Sequence, residues 1–223
     1  MDCDFADTTI VDIGANFGVY SYYMSKAAGP RGSLVAFEAQ PELGQHLDAV
    51  KETYHLDNLT VVKQGLSSSP GILKMRRTAA GSGGASFHYE AATNLEEIDV
   101  AMTTLDEFFS THEHTRISFM KCDVEHHEFD VFRGGQQILT KYMPTLLFEC
   151  HEGEAEDGKL FSYLASLGYD GFFFYVRPSD HKSLLRNNKG EYVHYSKFRD
   201  YPYPRTSVQH RNYIFLKKGQ HPI

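Results

Sequence analysis

The sequence has few of the features that mark disulfide-bonded, membrane-spanning or nucleic-acid-binding proteins. It contains three cysteines in 223 residues, and so small and odd a number does not indicate a disulfide framework. No apolar run in it approaches the roughly 20 residues that a membrane-spanning helix needs. The formal net charge of -7 argues against a general binder of nucleic acid or of acidic membranes. We therefore expect a protein of the reducing cytoplasm, with neither nucleic acid nor a membrane as its partner.

The sequence also lacks tryptophan, and no signal-peptide pattern opens it. Large core side chains come instead from 14 tyrosines and 16 phenylalanines, and 41% of the residues are hydrophobic, an ordinary share for a globular protein. The first predicted strand begins close to Met1, which indicates a minimal domain or one from which upstream sequence has been trimmed. At this length we expect a single domain over 1–223, with 177–211 as a variable insertion before the last strand.

The most informative stretch is Thr8–Gly18, TTIVDIGANFG. A run of β-branched residues ends around Asp12 and predicts a short buried strand. Gly14, Asn16 and Gly18 predict a tight loop after this strand, and the apolar stretch that follows predicts a helix. A strand, a glycine loop and a helix in this order present backbone N–H groups to an anionic group of a ligand.

The spacing of the glycines separates two classes of cofactor. A dinucleotide fingerprint is G-x-G-x-x-G, whereas this loop is D-x-G-x-N-x-G. It fits better the D/E-x-G-x-x-x-G loop with which S-adenosylmethionine enzymes hold the methionine end of their cofactor. Glu38 follows a second predicted strand, Ser33–Phe37, about 20 residues after the loop, where a carboxylate can accept hydrogen bonds from both ribose hydroxyls. Loop and acid together indicate an adenosine-type cofactor, either a methyl donor or a nicotinamide.

Predicted strands and helices alternate along the chain, which is typical of a doubly wound α/β sheet. A third strand is predicted over Leu59–Lys63, and Leu66 follows it where an adenine ring commonly lies in this architecture. A helix is predicted over His127–Thr140, and the last two strands over Gly171–Val176 and Asn212–Leu216. Ligands of such sheets bind beyond the C-terminal ends of the strands. The polar side chains expected to gather at that edge are Asp12, Glu38, Asp123, Glu149 and His151.

A second informative stretch, Met120–Gly135, crowds acidic and histidine side chains at a predicted strand-to-helix junction. Methyl transfer to a hydroxyl requires alignment of the two reactants and a group that takes the hydroxyl proton. Asp123 and Glu125 are the acids nearest the end of the strand, and His126 and His127 are alternative bases. Asp123 is also expected to contact the cofactor, because its position at the strand end faces the cofactor side. These side chains make the junction the predicted chemical centre.

A divalent metal is the alternative use of the same side chains. Some O-methyltransferases use such a cation to lower the pKa of the acceptor hydroxyl. The hard ligands available for one are Asp123, Glu125, His126, His127, Glu149 and His151. Because they lack a strict ligand spacing, a divalent metal is the less favoured alternative, and we assign no residue as a metal ligand.

Five segments occur in the order in which a known family carries them. They are VDIGANFGVYS (11–21), VAFEAQP (35–41), TTLDEF (103–108), FMKCDVEHHEFDVFRGG (119–135) and PTLLFEC (144–150). Together they resemble the FkbM family of S-adenosylmethionine-dependent methyltransferases, over about Thr9 to Glu152. The family usually reads D-V-E-G at the junction, whereas here His126 follows Glu125.

This resemblance implies a Rossmann-like class I methyltransferase fold, with a mostly parallel sheet and an antiparallel final strand. It implies an enzyme that uses S-adenosylmethionine, releases S-adenosylhomocysteine and methylates a hydroxyl on a saccharide or small natural product. The residues implied on the methionine side of the cofactor are Asp12, Gly14, Asn16 and Gly18. Glu38 would hold the ribose, and Asp123 and Glu125 would lie beside the reaction centre. The alternatives are a domain that binds the cofactor without catalysis and a nicotinamide-dependent oxidoreductase.

Overall fold

A computed structural model describes residues 5–88, 94–151, 155, 157–176, 190–201 and 210–222. The chain divides into two compact units, one over 2–144 and the other over 145–223. Of the predicted insertion at 177–211, the part over 177–189 and 202–209 lies outside the described residues. A single domain over the whole chain stays a prediction.

The first unit opens with alternating buried strands and helices. These elements are β1 (Thr9–Ile13), α1 (Val19–Ala28), β2 (Ser33–Phe37), α2 (Pro41–Thr53) and β3 (Leu59–Val62). Every position of β1 is buried, which is typical of a parallel strand covered on both faces. Gly29 follows α1 with a φ of +66°, and Pro41 opens α2 at a position where its missing N–H costs no hydrogen bond.

A parallel sheet forms from these strands together with β7 (Ile117–Cys122), in the order β3-β2-β1-β7. The strand order reverses beside β1, because β2 and β3 extend the sheet on one side and β7 pairs on the other. Ligands of open α/β sheets bind outside the C-terminal strand ends at such a reversal. The C-terminal ends of β1 and β7 are therefore the expected binding edge.

A small sheet lies between β3 and β7 in the sequence. It contains β4 (Gly65–Leu66), β5 (Gly71–Arg77) and β6 (Glu96–Thr103) in the order β4-β6-β5. Arg77 at the end of β5 is buried and donates hydrogen bonds of 2.8 and 3.0 Å to the Glu42 carboxylate on α2. This bidentate pair fixes the small sheet against the helix that follows β2.

The remaining helices of the first unit are α3 (Leu105–Thr111), α4 (Glu128–Arg133) and α5 (Gln136–Tyr142). The prediction of one helix over His127–Thr140 was wrong, because the chain breaks at two glycines between α4 and α5. A Cβ on Gly134 would lie 2.0 Å from the carbonyl oxygen of Ser67, and one on Gly135 would lie 2.7 Å from Cδ1 of Leu105. The close approach of neighbouring chain segments therefore leaves no space for a side chain at the break between the two helices.

The second unit is built mainly of antiparallel strands. Its elements are β8 (Thr145–His151), α6 (Lys159–Ser166), β9 (Tyr169–Val176), β10 (Gly190–His194), a 3₁₀ helix (Tyr195–Asp200) and β11 (His210–Lys217). The strands are ordered β8-β11-β9-β10. The prediction that β9 and β11 are consecutive strands was wrong, since β10 lies between them in the sequence and pairs with β9.

Both units agree with the fold class that the sequence predicts. The parallel strands of the first unit alternate with helices, and β11 runs antiparallel to both β8 and β9. A Rossmann-like α/β fold with a mostly parallel sheet and an antiparallel final strand is thereby confirmed. Among the described residues, none of the helices has the length and apolar character needed to cross a membrane.

Candidate active site

A cleft lies in the first unit where β1, β2 and β7 end. Its walls come from the loop after β1, the residues after β2, the start of β4, the segment that follows β5 and the junction after β7. The lining residues are Ile13, Gly14, Asn16, Phe37, Glu38, Ala39, Gln40, Gln64, Gly65, Leu66, Met75, Gly83, Ala85, Phe87, Asp123, Val124 and Glu125. The cleft thus brings together six of the predicted site residues, namely Gly14, Asn16, Glu38, Leu66, Asp123 and Glu125.

Gly14 holds the loop after β1 against the end of β7. Its φ is +73°, a left-handed conformation that glycine adopts without steric cost. A Cβ at this position would lie 2.0 Å from the carbonyl oxygen of Asp123. The loop is also tied to β2, because the N–H groups of Gly14 and Ala15 both donate to the carbonyl of Phe37 at 3.0 Å. The loop after β1 can therefore pack against the end of β7 only because residue 14 has no side chain.

We predict that Gly14→Ala lowers the free energy of unfolding by about 2 kcal/mol more than Gly158→Ala does. Both glycines have similar φ values, +73° and +68°, but a Cβ on Gly158 would meet nothing within 4 Å. The cost of placing alanine at a positive φ is similar in both variants, so the difference between their losses of stability measures the collision with Asp123. Urea unfolding followed by circular dichroism measures both variants. Equal losses would show that the loop can move away from β7 at little cost.

Glu38 is the buried carboxylate among the acidic side chains that line the cleft. It is 6% exposed, and its two oxygens accept hydrogen bonds of 2.8 Å from the N–H groups of Asn16 and Gln40. Burial raises the pKa of Glu38, against the opposing effect of these two hydrogen bonds. Since a carboxylate has about four acceptor positions, the Glu38 carboxylate has capacity for a further donor. Glu38 therefore both fixes the loop after β1 and can accept hydrogen bonds from a ligand.

Asp12 and Gly18 do not line the cleft but support its loop. Asp12 is fully buried, and the Ser21 hydroxyl donates to it at 2.6 Å. Gly18 precedes α1 with a φ of +79°, and a Cβ there would lie 2.7 Å from Cδ2 of Leu47 on α2. Both residues hold the strand, the loop and the helix in place from outside the cleft. Their predicted role in direct cofactor contact stays a prediction.

Lys121 on β7 also contacts the loop after β1 and the acidic residues around it. Sequence reasoning did not identify this residue. Its Nζ donates to the carbonyl of Gly14 at 3.0 Å and lies 3.5 Å from Asp12 and 3.4 Å from Asp123. Burial lowers the pKa of Lys121, but the two carboxylates outweigh this effect and the net pKa is raised. Burial also raises the pKa of Asp12, and Lys121 and Ser21 oppose that shift. We conclude that a buried cation lies directly behind the loop, paired with Asp12.

The junction after β7 has a strained backbone. Glu125 and His126 have φ values of +51° and +76°, and a non-glycine residue in this region costs of order 1–3 kcal/mol. The Ser86 hydroxyl donates to the carbonyl of Glu125 at 2.8 Å, and the buried Glu128 accepts from the N–H of Val124 at 2.9 Å. Such strain often marks active sites. It also gives a physical reason for glycine at the position of His126 in the D-V-E-G pattern.

His127 is buried and lies behind the cleft wall. Its Nε2 is 3.0 Å from the Ser67 hydroxyl, and its Nδ1 is 3.0 Å from Nε2 of His88. Burial lowers the pKa of His127 to about 4, with His88 adding to this effect and Asp130 opposing it, so the ring is neutral at neutral pH. The ring of Phe87, which lines the cleft, packs 5.0 Å from that of His127. Sequence reasoning missed His88 and Ser67, because they are distant in the chain and no local pattern connects them.

The side chains that could bind a metal in the structure are not the six candidate ligands named from the sequence. Among the described residues, the group whose ligand atoms all lie within 4.8 Å of one another consists of His88, His127 and Asp130. Only His127 belongs to the predicted set. His126 lies on the strained junction but does not line the cleft, and its role as an alternative base stays a prediction.

Comparisons with known proteins agree with the motifs. The chain matches the model of the methyltransferase FkbM domain over residues 12–170. A relative named Methyltransferase 1, from Beauveria bassiana (strain ARSEF 2860), is 25% identical over a match that covers 57% of this chain and 58% of the relative. This chain therefore spans less than two thirds of that relative's length.

Solved structures share the fold at low sequence identity. An FkbM methyltransferase from Methylobacillus flagellatus KT has a TM-score of 0.53 and 17% identity, covering 73% of this chain and 38% of its own. An rRNA methylase from Streptococcus thermophilus has a TM-score of 0.51 and 8% identity, covering 95% and 87%. Because the family match extends over more than half of the chain and includes the glycine loop, Glu38 and the junction after β7, this protein belongs to the FkbM methyltransferase family.

Proposed function

We propose that this protein transfers a methyl group from S-adenosylmethionine to a hydroxyl on a saccharide or another small molecule. The observation that carries the proposal is the position of Glu38 in one cleft with the Gly14–Asn16 loop and with the two carboxylates Asp123 and Glu125. The loop and Glu38 form the cofactor side of this cleft. Asp123 and Glu125 form the side on which an acceptor hydroxyl loses its proton.

The residues of the cleft fit an adenosine-type cofactor. The Glu38 carboxylate has acceptor capacity for the ribose hydroxyls, and Leu66 offers an apolar surface for the adenine ring. The cleft encloses about 60 Å³, less than the roughly 300–1,000 Å³ of typical ligand pockets. We therefore expect the wall that carries Gly83, Ala85 and Phe87 to move outward when the cofactor binds.

Each part of the chain has a separate task in the proposed reaction. Bound S-adenosylmethionine supplies a methyl group on a sulfonium, and the protein aligns the acceptor oxygen with it, which is the larger part of such catalysis. Asp123 takes the hydroxyl proton as general base. Lys121, 3.4 Å from the Asp123 carboxylate, positions that carboxylate against the end of β7. Glu125 is the second carboxylate on this wall.

Calorimetric titration with S-adenosylhomocysteine, with NAD as the parallel ligand, tests the cofactor class first. We expect micromolar binding of S-adenosylhomocysteine and none of NAD. A panel of saccharides and hydroxylated natural products, assayed with S-adenosylmethionine labelled in the methyl group, then tests for transfer. Binding of NAD alone would replace the proposal with an oxidoreductase. Binding of S-adenosylhomocysteine without transfer to any hydroxyl would favour a domain that binds the cofactor without catalysis.

We predict that Glu38→Gln weakens binding of S-adenosylhomocysteine by about 10- to 100-fold, equivalent to about 1.4–2.7 kcal/mol. The amide keeps one acceptor oxygen, loses the charge that strengthens hydrogen bonds from the ribose, and places an NH₂ group toward the N–H of Asn16 or Gln40. The matched control is Glu52→Gln, on the exposed surface of α2. Calorimetry gives both dissociation constants, and thermal unfolding checks that the variants are folded. An unchanged constant in Glu38→Gln would remove Glu38 from the ribose site.

A further inference from the structure

Three metal-ligating side chains converge next to the cleft wall. Nδ1 of His127 lies 3.0 Å from Nε2 of His88 and 4.0 Å from Oδ2 of Asp130. All three ligand atoms lie within 4.8 Å of one another. His127 and Asp130 lie at the start of α4, whereas His88 comes from the segment after β5. Two separate segments of the chain thus bring two imidazole nitrogens and one carboxylate oxygen close together.

The distances suit a small transition-metal ion. Two nitrogens that each bind Zn²⁺ at 2.0–2.1 Å are about 3.3 Å apart in tetrahedral geometry, within a few tenths of an ångström of the observed separation of His88 and His127. Asp130 needs a larger adjustment, which its partly exposed side chain allows. The 3.0 Å separation of the two ring nitrogens is also that of a hydrogen bond.

Hydrogen bonds from a second layer orient two of the three ligands. Nε2 of His127 lies 3.0 Å from the Ser67 hydroxyl, so an N–H at Nε2 would leave the lone pair of Nδ1 facing the other ligands. The Ser68 hydroxyl donates to Oδ1 of Asp130 at 2.9 Å, opposite the oxygen nearest to His127. Metal-binding histidines and carboxylates in proteins commonly have such partners. The exposed His88 provides access from solvent.

We propose that His88, His127 and Asp130 bind one zinc-class divalent ion, with a further coordination position open to water. The bound ion ties the segment of His88 to the start of α4. Phe87, the neighbour of His88, lines the cleft and packs on the His127 ring. Occupancy of the site therefore holds the Phe87 end of this wall and limits how far the wall moves outward when the cofactor binds. The site does not depend on the methyltransferase reaction.

Cobalt titration of the full chain, prepared without an affinity tag, tests the proposal. We expect one Co²⁺ per chain, a visible absorption band of a four- or five-coordinate ion and displacement of that ion by Zn²⁺. His88→Ala and Asp130→Asn should each weaken Co²⁺ binding at least about 10-fold, since each removes one of three protein ligands. Both substitutions lie at exposed or partly exposed positions, so the variants should fold.

The matched controls are His46→Ala and Asp48→Asn on α2, which remove the same ligand types away from the site. Neither should change the affinity for Co²⁺. Zn²⁺ should also raise the thermal midpoint of the wild type and of both controls, but not that of His88→Ala. Absence of saturable Co²⁺ binding would overturn the proposal, and so would an affinity that His88→Ala and Asp130→Asn leave unchanged. Titration with S-adenosylhomocysteine in the same samples reports on the cofactor site separately.

Discussion

Asp12→Asn should lower the free energy of unfolding by about 3 kcal/mol, although it changes one atom of a side chain that contacts no solvent. Asp12 is fully buried, and its direct partner on the neighbouring strand is Lys121, itself only 6% exposed. Removing one member of a buried ion pair leaves the other charge without compensation, which costs about 3–5 kcal/mol. The lower end applies because Lys121 keeps Asp123 as a second partner at 3.4 Å.

A double-mutant cycle separates the ion pair from the other effects of each change. Lys121→Met should destabilise the protein by a similar amount, because it leaves Asp12 buried beside no cation. The combination of both substitutions should cost less than the sum of the two, with a coupling energy of about 1–3 kcal/mol. Urea unfolding followed by circular dichroism measures all four proteins under the same conditions.

The surface pair of Asp48 and Lys63 is the matched control. Both side chains are 45% exposed, and exposed pairs contribute about 0–1 kcal/mol. Asp48→Asn should therefore change stability by less than a third of the Asp12→Asn effect. If Asp12→Asn cost no more than Asp48→Asn, the conclusion that a buried ion pair supports the glycine loop would be wrong.

Asp12 and Glu38 differ in how far a single sequence predicts their surroundings. Glu38 directly follows the buried strand β2. Its place at the C-terminal edge of the sheet therefore depends only on where that strand ends. Asp12 lies within β1, where the register against β7 decides what it meets. That register pairs Asp12 with Lys121, more than a hundred positions away in the chain. Local patterns do not encode such a contact, so the pairing of Asp12 with Lys121 could not be predicted from the sequence, and direct contact of Asp12 with the cofactor stays a prediction.

Non-local contacts also explain the other differences. Gly134 lies between α4 and α5 where Ser67 occupies the space that a side chain would need, while the sequence pattern around it continues as a helix. β10 was missed since three of its five residues are exposed or polar, with Val193 its single buried apolar residue. His88 meets His127 through the folding of a segment that no motif marks. β1, β2 and β3 were predictable because buried apolar runs bounded by glycines and other turn residues carry their signal locally.

Asp123→Asn should lower kcat for methyl transfer by about 10²- to 10⁴-fold, the usual contribution of a general base, while S-adenosylhomocysteine binds within about threefold of the wild type. The substitution preserves the shape of the side chain and removes its capacity to take a proton. Labelled S-adenosylmethionine and the acceptor found in the panel give kcat, and calorimetry gives the dissociation constant. Loss of cofactor binding together with activity would assign Asp123 to the cofactor site instead.

Glu125→Gln is the matched comparison, because it makes the same chemical change on the same wall of the cleft. If Asp123 is the base, Glu125→Gln should retain most of kcat, and the reverse pattern would move the base to Glu125. His126→Gly is the third variant, since glycine suits the φ of +76° and removes the imidazole without further strain in the backbone. Full activity in both carboxylate variants and loss in His126→Gly would make His126 the base. The side chain that departs from the D-V-E-G pattern would then carry the chemistry, and the strain at the junction would be the cost of placing it there.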